Sequence, residues 1–225
     1  MLNKIPRAVA VIAFATAALT SGSARATTLT FDGLNLGSGG AIPGAYGDRV
    51  DGAGDVGSYG GPLDTPNVVV EYRTLTTPVT ENVVFWGGGY GDLENVAYSA
   101  SNGSHAEISL IADAGYSVSL VSFDLAGWPY ADYENQTVRI LDGNGVVLKD
   151  YSPLFVDGTQ PAPAHTTLTP DLTGSVLRIQ FGSNYNVGID NIRFTQVALG
   201  VPEPASLALL GAGLLGVAVR GRRRG

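Results

Sequence analysis

The amino-acid sequence predicts an all-β fold built as an antiparallel β-sandwich. Between residues 27 and 199, short runs of alternating apolar and polar residues recur, and helical periodicity is absent. Glycine-rich turns separate these runs. Many short strands joined by such turns are typical of an antiparallel sandwich, and about 170 residues are enough for one sizeable core. We therefore expect a single domain over residues 27–199.

Eight segments carry the strand pattern and locate the expected elements of the domain. In chain order they are 28–31, 67–75, 79–86, 106–112, 117–125, 137–149, 175–181 and 188–195. The segment 137–149 is long enough for a hairpin, because Asp142-Gly143-Asn144-Gly145 at its centre favours a tight turn. The glycine-rich stretch 33–61 has no sustained pattern, and we expect a surface loop with one short strand within it.

One apolar run changes face part-way along its length. In 117–125, Val118 and Leu120 share a face, and the alternation then restarts at Val121 and continues through Phe123. Because side chains alternate strictly along a regular strand, such a shift needs an extra residue or a change of sheet. The sequence therefore predicts an irregularity of this kind near Val121.

The N-terminal segment 1–26 has the three parts of a secretory signal peptide. Lys4 and Arg7 are basic, residues 8–20 are apolar, and Ala24-Arg25-Ala26 is a small-x-small cleavage site. A transmembrane helix is the alternative, but thirteen mostly apolar residues are too few, since a span needs about 20. We expect the general secretion machinery to export the chain and signal peptidase to cut it after residue 26.

The C-terminal segment 200–225 also has three parts. Val201-Pro202-Glu203-Pro204 comes first, an uncharged apolar stretch over 205–219 follows, and the basic residues at the end are Arg220, Arg222, Arg223 and Arg224. As a helix, the apolar stretch is roughly 22 Å long, which is shorter than a hydrocarbon core of about 30 Å. It spans a membrane only if the bilayer thins or the arginines reach the headgroups. The positive-inside rule keeps the arginines cytoplasmic and the domain outside.

These three parts resemble the PEP-CTERM sorting signal of exported proteins in Gram-negative bacteria. The resemblance implies that an exosortase recognises Pro202, Glu203 and Pro204 and removes the tail, so that only the precursor is held in the inner membrane. Members of this family accompany exopolysaccharide production, which implies a final place at the cell surface or in the extracellular matrix. An ordinary C-terminal membrane anchor is the alternative interpretation of the same residues.

The exported domain is strongly acidic once the two terminal segments are set aside. Six basic residues and nineteen carboxylates lie between residues 27 and 200, so its net charge is near −13, against −7 for the whole chain. Proteins that bind nucleic acid need a basic face, so no nucleic-acid partner is expected. The chain has no cysteine and hence no disulfide bond to stabilise the exported domain.

The last two strand segments resemble the end of galactose-binding-like jelly-roll domains. They are 176–181 and 188–194, with a short turn between them. In that family a structural calcium ion often lies where the first and last strands meet. By this resemblance Asp32, after the first strand, and Asp190, in the last, are the expected calcium ligands. The alternative is that Asp32 belongs to a turn and Asp190 is a hydrogen-bonded loop residue.

Aromatic residues in predicted loops are the candidate glycan-binding groups. They are Trp86, Tyr90, Trp128, Tyr130 and Tyr133, with Tyr185 in a later turn. Sugar rings present both apolar faces and hydroxyl groups, and aromatic side chains beside Asn and Asp can contact both. The alternative is that the two tryptophans are core residues at the edge of the sandwich, since tryptophan is usually largely buried.

The expected function is that of a non-catalytic exported protein of the cell surface or exopolysaccharide matrix, with weak glycan binding. Neither His105 nor His165 has metal-ligand spacing, and both are expected to be solvated loop residues. The alternative is a secreted glycan-active enzyme with the same tail, for which Asp132 and Glu134 are the candidate carboxylates. A structural calcium ion is the only cofactor expected.

Overall fold

The protein is an antiparallel β-sandwich, as the strand pattern predicts. The computed structural model describes residues 26–34, 36–52, 64–76, 82–182 and 185–199. Within these residues there are fourteen strands and no helix. The strands are β1 (Thr27–Leu29), β2 (Val68–Thr74), β3 (Val84–Trp86), β4 (Val96–Tyr98), β5 (Ala106–Ala112), β6 (Tyr116–Gly127), β7 (Tyr133–Gln136), β8 (Arg139–Leu141), β9 (Val147–Asp150), β10 (Leu154–Val156), β11 (Thr166–Leu168), β12 (Leu172–Gly174), β13 (Val176–Phe181) and β14 (Val187–Ala198).

Two sheets make up the sandwich. The first sheet has the order β11-β6-β14-β4-β3, and within it β1 also pairs with β14 and β12 with β6. The second sheet has the order β2-β5-β13-β8-β9, and β7 and β10 form a separate two-stranded sheet. The long strand β6 lies against β5 and β13 of the second sheet, so the two sheets pack through it.

The hydrophobic core lies between the two sheets. In β2 and β13, buried residues alternate with more exposed ones, as expected for a sheet with one solvated face. The fully buried core side chains include Val70, Ile108, Leu110, Ile179 and Phe181 from the second sheet and Leu120, Phe123, Leu125, Ile189 and Phe194 from the first. Each side chain of this size contributes about 1.5–3 kcal/mol on burial, so the core is the main source of stability in a domain without disulfides.

The irregularity predicted near Val121 is present. The register between β6 and β14 shifts on both sides of Arg193, which lies opposite Ser122. At the first shift β14 has an extra residue relative to β6, and at the second shift Val121 of β6 has no partner in β14. The two shifts therefore cancel, and the pairing of the two strands continues beyond them. The buried face therefore passes from Leu120 to Phe123 as predicted, whereas Val121 itself stays partly exposed and outside the core.

The described parts of the stretch 33–61 contribute to the core, which corrects the expectation of a surface loop. Ile42 and Tyr46 are buried in the main core, although no regular strand forms around them. Among the described residues of this stretch, the expected short strand is reduced to two isolated bridges, Ala41 with Val84 and Asp51 with Asp64. Isolated apolar residues among glycines give no periodic signal, so their burial could not be predicted from the pattern.

The hairpin predicted within 137–149 is formed by β8 and β9. The Asp142 carboxylate accepts the backbone N–H groups of Asn144 and Val146, each at 2.8 Å, and thereby holds the turn. This is the local side-chain-to-backbone bonding that favours Asp in turns. The sequence-based interpretation of Asp142-Gly143-Asn144-Gly145 as a tight turn is confirmed.

The two terminal segments lie outside the described residues. They comprise residues 1–25 of the predicted signal peptide and the tail 200–225, with its Pro-Glu-Pro motif and arginines. The signal helix and the C-terminal hydrophobic helix therefore stay predictions. In the part of the chain that the structure describes, no helix is long and apolar enough to cross a membrane.

We predict that truncating Phe194 strongly destabilises the sandwich. Phe194 is fully buried in β14, so Phe194→Ala should lower the free energy of unfolding by about 3–5 kcal/mol in a denaturant titration. Val197→Ala is the matched control on the same strand, because Val197 is 41% exposed, and it should change stability by no more than about 0.5 kcal/mol. Equal effects of the two substitutions would contradict this packing of β14.

Candidate functional site

An aromatic cavity lies at one end of the first sheet. Its volume is about 300 Å³, and it is open to solvent on one side. We call it the aromatic cavity, and its lining residues are Trp86, Tyr90, Tyr98, Ala100, Asn102, Trp128 and Tyr185. Three of the five predicted glycan-binding residues thus meet in one site.

The aromatic rings contact one another edge to face. The Trp86 and Trp128 ring centroids are 6.2 Å apart with an interplanar angle of 77°. Trp86 also meets Tyr98 at 6.1 Å and 84°, and Trp128 meets Tyr185 at 5.6 Å and 80°. Such T-shaped contacts are the favoured geometry for aromatic pairs, and they hold the rings in place as walls of the cavity.

Strand pairing brings these rings together from distant parts of the sequence. Trp86 ends β3 and lies beside β4, whose last residue, Tyr98, is opposite Gly188 of β14. Trp128 follows directly after β6, and its backbone N–H donates to the carbonyl of Asn186 at 2.8 Å. This bond draws the end of β6 to the turn before β14 and places Trp128 beside Tyr185.

Tyr90 forms the floor of the aromatic cavity. It is 1% exposed, its hydroxyl donates to the Tyr185 carbonyl, and burial raises the pKa of that hydroxyl, which therefore stays neutral. It belongs to a small cluster with Val96 and Tyr98, separate from the main core. A Cβ at Gly188 would lie 2.9 Å from the Tyr90 ring, so glycine at this position allows the ring to pack.

The other two predicted glycan-binding residues lie outside the aromatic cavity. Tyr133 packs behind Trp128 and donates its hydroxyl to the Trp128 carbonyl at 2.5 Å, so it supports that residue. Tyr130 lines a neighbouring cavity.

Two residues that line the aromatic cavity, Tyr98 and Asn102, were not predicted from the sequence. The strand of Tyr98 is only three residues long, and Asn102 lies in a Ser-Asn-Gly turn. A lone tyrosine between Ala97 and Ser99 gives no periodic signal.

The neighbouring cavity has a different lining. We call it the acidic cavity; its volume is about 330 Å³, and its lining residues are Gly87, Gly88, Gly89, Gly91, Asp92, Leu93, Glu94, Tyr130 and Gln160. The Tyr130 backbone N–H donates to the Gly89 carbonyl at 2.9 Å. The same two chain segments, around Gly89 and around Trp128, therefore border both cavities.

The carboxylates considered for an enzyme are not in the aromatic cavity. Hydrogen bonds from Thr159 and from the backbone of Gly158 hold the pKa of Asp132 below its ordinary value, and its Oδ1 accepts both backbone N–H groups at 3.0 Å. Asp132 thus stays ionised and braces a loop, which is unlike a general acid. Glu134 is exposed on β7, and the described residues that line the aromatic cavity include no acidic side chain.

The two predicted calcium ligands are near each other. Asp190 is 5% exposed, and its Oδ1 is buried without a hydrogen-bond partner. Burial, together with the charges of Asp32 and Asp124, raises the pKa of Asp190 to about 8, although hydrogen bonds from the backbone of Asn191 and Phe31 act in the opposite direction. A buried carboxylate beside another needs either a proton or a cation to neutralise it.

The donor set around Asp190 fits a hard cation in part. Carboxylate oxygens are typical calcium ligands, and Oδ1 of Asp190 makes no hydrogen bond that would compete with coordination of a cation. Asp32 already accepts the side-chain amide of Asn95 at 2.8 Å. Among the described residues, no group of three or more Asp, Glu, His or Cys side chains could hold a metal ion. A calcium ion at Asp190 therefore needs backbone carbonyls or water as its remaining ligands.

His165 is not the solvated loop residue that the sequence suggests. Its Nδ1 lies 2.7 Å from Asp92 Oδ1, and its Nε2 lies 4.0 Å from Asp124 Oδ1. Although burial alone would raise the pKa of Asp92, hydrogen bonds from His165 and from backbone amides hold it below its ordinary value. His105 is half-buried, and its Nδ1 is bonded to the Gly182 carbonyl. Each histidine therefore links two chain segments that are far apart in sequence.

Comparison with known proteins identifies the C-terminal tail. Residues 200–224 match the family described as the PEP-CTERM protein-sorting motif. The chain carries a PEP-CTERM sorting signal. The PEP-CTERM motif indicates an exported, membrane-anchored precursor that is processed by an exosortase, as the resemblance of Pro202, Glu203 and Pro204 implied.

The other comparisons add little about the domain that precedes this tail. A search of curated proteins finds no match to its sequence. Among solved structures, a mutant of a family 29 carbohydrate-binding module is similar at 14% identity over 61% of this chain and 98% of that chain, with a TM-score of 0.24. A TM-score this low does not establish a common fold or a common ligand.

We predict that Asp190 makes stability fall as the pH rises. Its folded-state pKa of about 8 exceeds the ordinary 3.8, so the folded protein holds a proton that the unfolded chain has lost. In chelator-treated protein, the free energy of unfolding should therefore be highest near pH 4 and fall, by an amount on the order of a few kcal/mol, up to about pH 8.

The variant Asp190→Asn is the matched test of this pH dependence, because the amide mimics the protonated acid. Its stability should fall less between those pH values, and it should exceed that of the unsubstituted protein above about pH 8. Denaturant titrations across the pH range measure both. Parallel curves for the two proteins would show that Asp190 does not hold the proton.

Proposed function

We propose that this protein is a non-catalytic component of the cell surface or exopolysaccharide matrix and binds a glycan in the aromatic cavity. The observation that carries the proposal is the assembly of Trp86, Tyr98, Trp128 and Tyr185 around one solvent-accessible cavity. Tyr185 is 45% exposed, and Trp86 and Trp128 are half-buried, so these three rings can contact a ligand, whereas Tyr98 is buried behind them.

The chemistry of the aromatic cavity suits a sugar. Aromatic walls pack against the C–H faces of a pyranose ring, and the Asn102 amide offers both a donor and an acceptor for hydroxyl groups. The volume of about 300 Å³ is at the lower end of the range for small-ligand pockets, which is about 300–1,000 Å³. The cavity therefore fits one or two sugar units and supports modest affinity.

The lining also favours binding over catalysis. Glycoside hydrolysis ordinarily uses two carboxyl groups that flank the scissile bond, about 5–9.5 Å apart. The described residues of the aromatic cavity provide none, and Asp132 is engaged in bracing its loop. We therefore favour a binding protein over a glycan-active enzyme.

The terminal segments complete the proposed history of the chain. Export begins at the signal peptide, which signal peptidase removes, and the apolar stretch 205–219 holds the precursor in the inner membrane with its arginines in the cytoplasm. Exosortase then acts at the tail and releases the acidic domain to the cell surface or matrix. At that location a polysaccharide is the abundant ligand.

We further propose that Asp190 and Asp32 bind a structural calcium ion. The support is the buried, unpartnered Oδ1 of Asp190 and the second carboxylate beside it, where β1 pairs with β14. The ion would neutralise both charges and fix the first strand to the last. Its role is stability alone, because the site is separate from the residues that line the aromatic cavity.

We predict that truncating an aromatic wall weakens glycan binding. Trp128→Ala and Tyr185→Ala each remove a ring that lines the aromatic cavity, so each should raise the dissociation constant at least tenfold. A glycan array followed by isothermal titration of the purified protein measures the effect. Phe155→Ala is the matched control, because Phe155 is 51% exposed but lines neither cavity.

Two outcomes would contradict the proposed function. The first is an absence of binding to every glycan tested, including the exopolysaccharide of the producing bacterium. The second is binding that survives both cavity substitutions as well as it survives Phe155→Ala. A fold check by circular dichroism accompanies each variant, so that lost binding is not confused with unfolding.

We predict that calcium stabilises the protein more at high pH than at low pH. Calcium requires the ionised form of Asp190, so proton and ion compete, and the proton is lost only near pH 8. At calcium concentrations a hundredfold above Kd, the melting temperature should rise by about 5–10 °C at pH 9 and less at pH 6. Asp190→Asn should abolish the rise, whereas the exposed control Asp171→Asn should keep it. A rise that persists in Asp190→Asn would place the ion elsewhere.

A further inference from the structure

The charged side chains that line the acidic cavity are both carboxylates, which accept hydrogen bonds. Asp92 and Glu94 provide carboxylates, and no hydrogen bond or ion pair joins the Glu94 side chain to another described residue. Gln160 donates its amide to the Gly91 carbonyl at 2.7 Å, which leaves its own carbonyl oxygen as an acceptor. A ligand group that pairs with these carboxylates must supply hydrogen-bond donors.

The acidic cavity keeps a negative charge whether or not the neighbouring His165 is protonated. The described residues that line it include no Lys, Arg or His. His165 is the nearest basic partner, bonded to Asp92, but its other nitrogen faces Asp124 at 4.0 Å. A protonated His165 therefore lies between two carboxylates and neutralises only one of them. Glu94 remains uncompensated.

The acidic cavity borders the aromatic cavity. Gly89 lines the acidic cavity, and a Cβ at this residue would lie 3.1 Å from the Trp128 ring that walls the aromatic cavity. Tyr130, two residues after Trp128, lines the acidic cavity and is 55% exposed. A chain of sugars that packs against Trp128 and passes over Gly89 would enter the acidic cavity, whose lining includes Glu94.

We propose that the two cavities form one extended site for a polysaccharide with free amino groups. The aromatic cavity contacts the face of one sugar, and the carboxylates of Asp92 and Glu94 accept hydrogen bonds from the ammonium group of a neighbouring sugar. This inference rests on the proposed function and adds its substrate class. Uronic-acid, sulfated and phosphorylated glycans are disfavoured, because they would bring anions next to the carboxylates of this cavity. The net charge of the domain, near −13, also repels such glycans.

The test compares oligosaccharides that differ only at the amino group. Isothermal titration of the purified protein at mildly acidic pH uses β-1,4-linked glucosamine hexamer, its fully N-acetylated form and a glucuronate oligomer of similar length. The free-amine hexamer should bind about tenfold or more tightly than the N-acetylated one, since hydrogen bonds to charged groups are the stronger kind. The preference should weaken as salt is added, and the glucuronate oligomer should bind least tightly.

Two glutamate variants locate the source of the preference. Glu94→Gln should bring the affinities of the free-amine and N-acetylated hexamers close together. Glu71→Gln is the matched control, because Glu71 is exposed on β2 in the second sheet and the substitution makes the same change in net charge. It should leave the preference unchanged.

The outcomes separate this inference from the proposed function. Equal affinity for both hexamers, with loss of both in Trp128→Ala, would overturn the amino-sugar preference and leave glycan binding intact. Tighter binding of the glucuronate oligomer, or a preference that survives Glu94→Gln, would also overturn it. An absence of binding to any glycan would overturn both.

Discussion

The pairing of β6 with β14 is the contact on which the rest of the structure depends. These two strands run antiparallel from Gly127 opposite Val187 to Tyr116 opposite Ala198, and they form the centre of the first sheet. Their inward side chains fill the core, and β6 also packs against the second sheet. Two features lie along this one pair, the aromatic cavity at its Gly127 end and Asp190 near the start of β14, and the sorting tail follows β14 in the sequence.

The position of each feature follows from the geometry of the pair. Trp128 and Tyr185 lie just past the Gly127 end, whereas the tail begins just past Ala198. At about 3.3 Å per residue, β14 spans roughly 35 Å, so the aromatic cavity lies at the opposite end of this strand from Ala198. The compensating bulges between these ends change which side chains face inward, and Asp190 lies at the edge of that irregular stretch. A buried carboxylate without a hydrogen-bond partner lowers the stability of the fold unless a proton or a bound cation neutralises it.

How much could be predicted depended on whether a feature was local. The long strands and the bulge near Val121 were predictable, because alternation along one strand reports burial directly. Trp86, at the end of β3, and Trp128, just after β6, were recognisable from the sequence as candidate glycan-binding residues. Their proximity depends on the pairing of β3, β4 and β14, which links residues far apart in sequence. Tyr98 and the acidic cavity could not be predicted from the sequence for the same reason. The proximity of Asp190 to Asp32 came from a family resemblance, and the unpartnered oxygen became visible only in the structure.

The central claim is that the end of the β6–β14 pair is a glycan-binding site, and the two tryptophans allow it to be tested directly. The chain has only two, Trp86 and Trp128, and both line the aromatic cavity. The most direct measurement is an NMR titration that follows their two indole N–H resonances as glycan is added. We expect both resonances to shift in a saturable manner, while backbone amides in the β8–β9 hairpin stay unchanged. Saturable glycan binding that leaves both indole resonances unmoved would contradict the account.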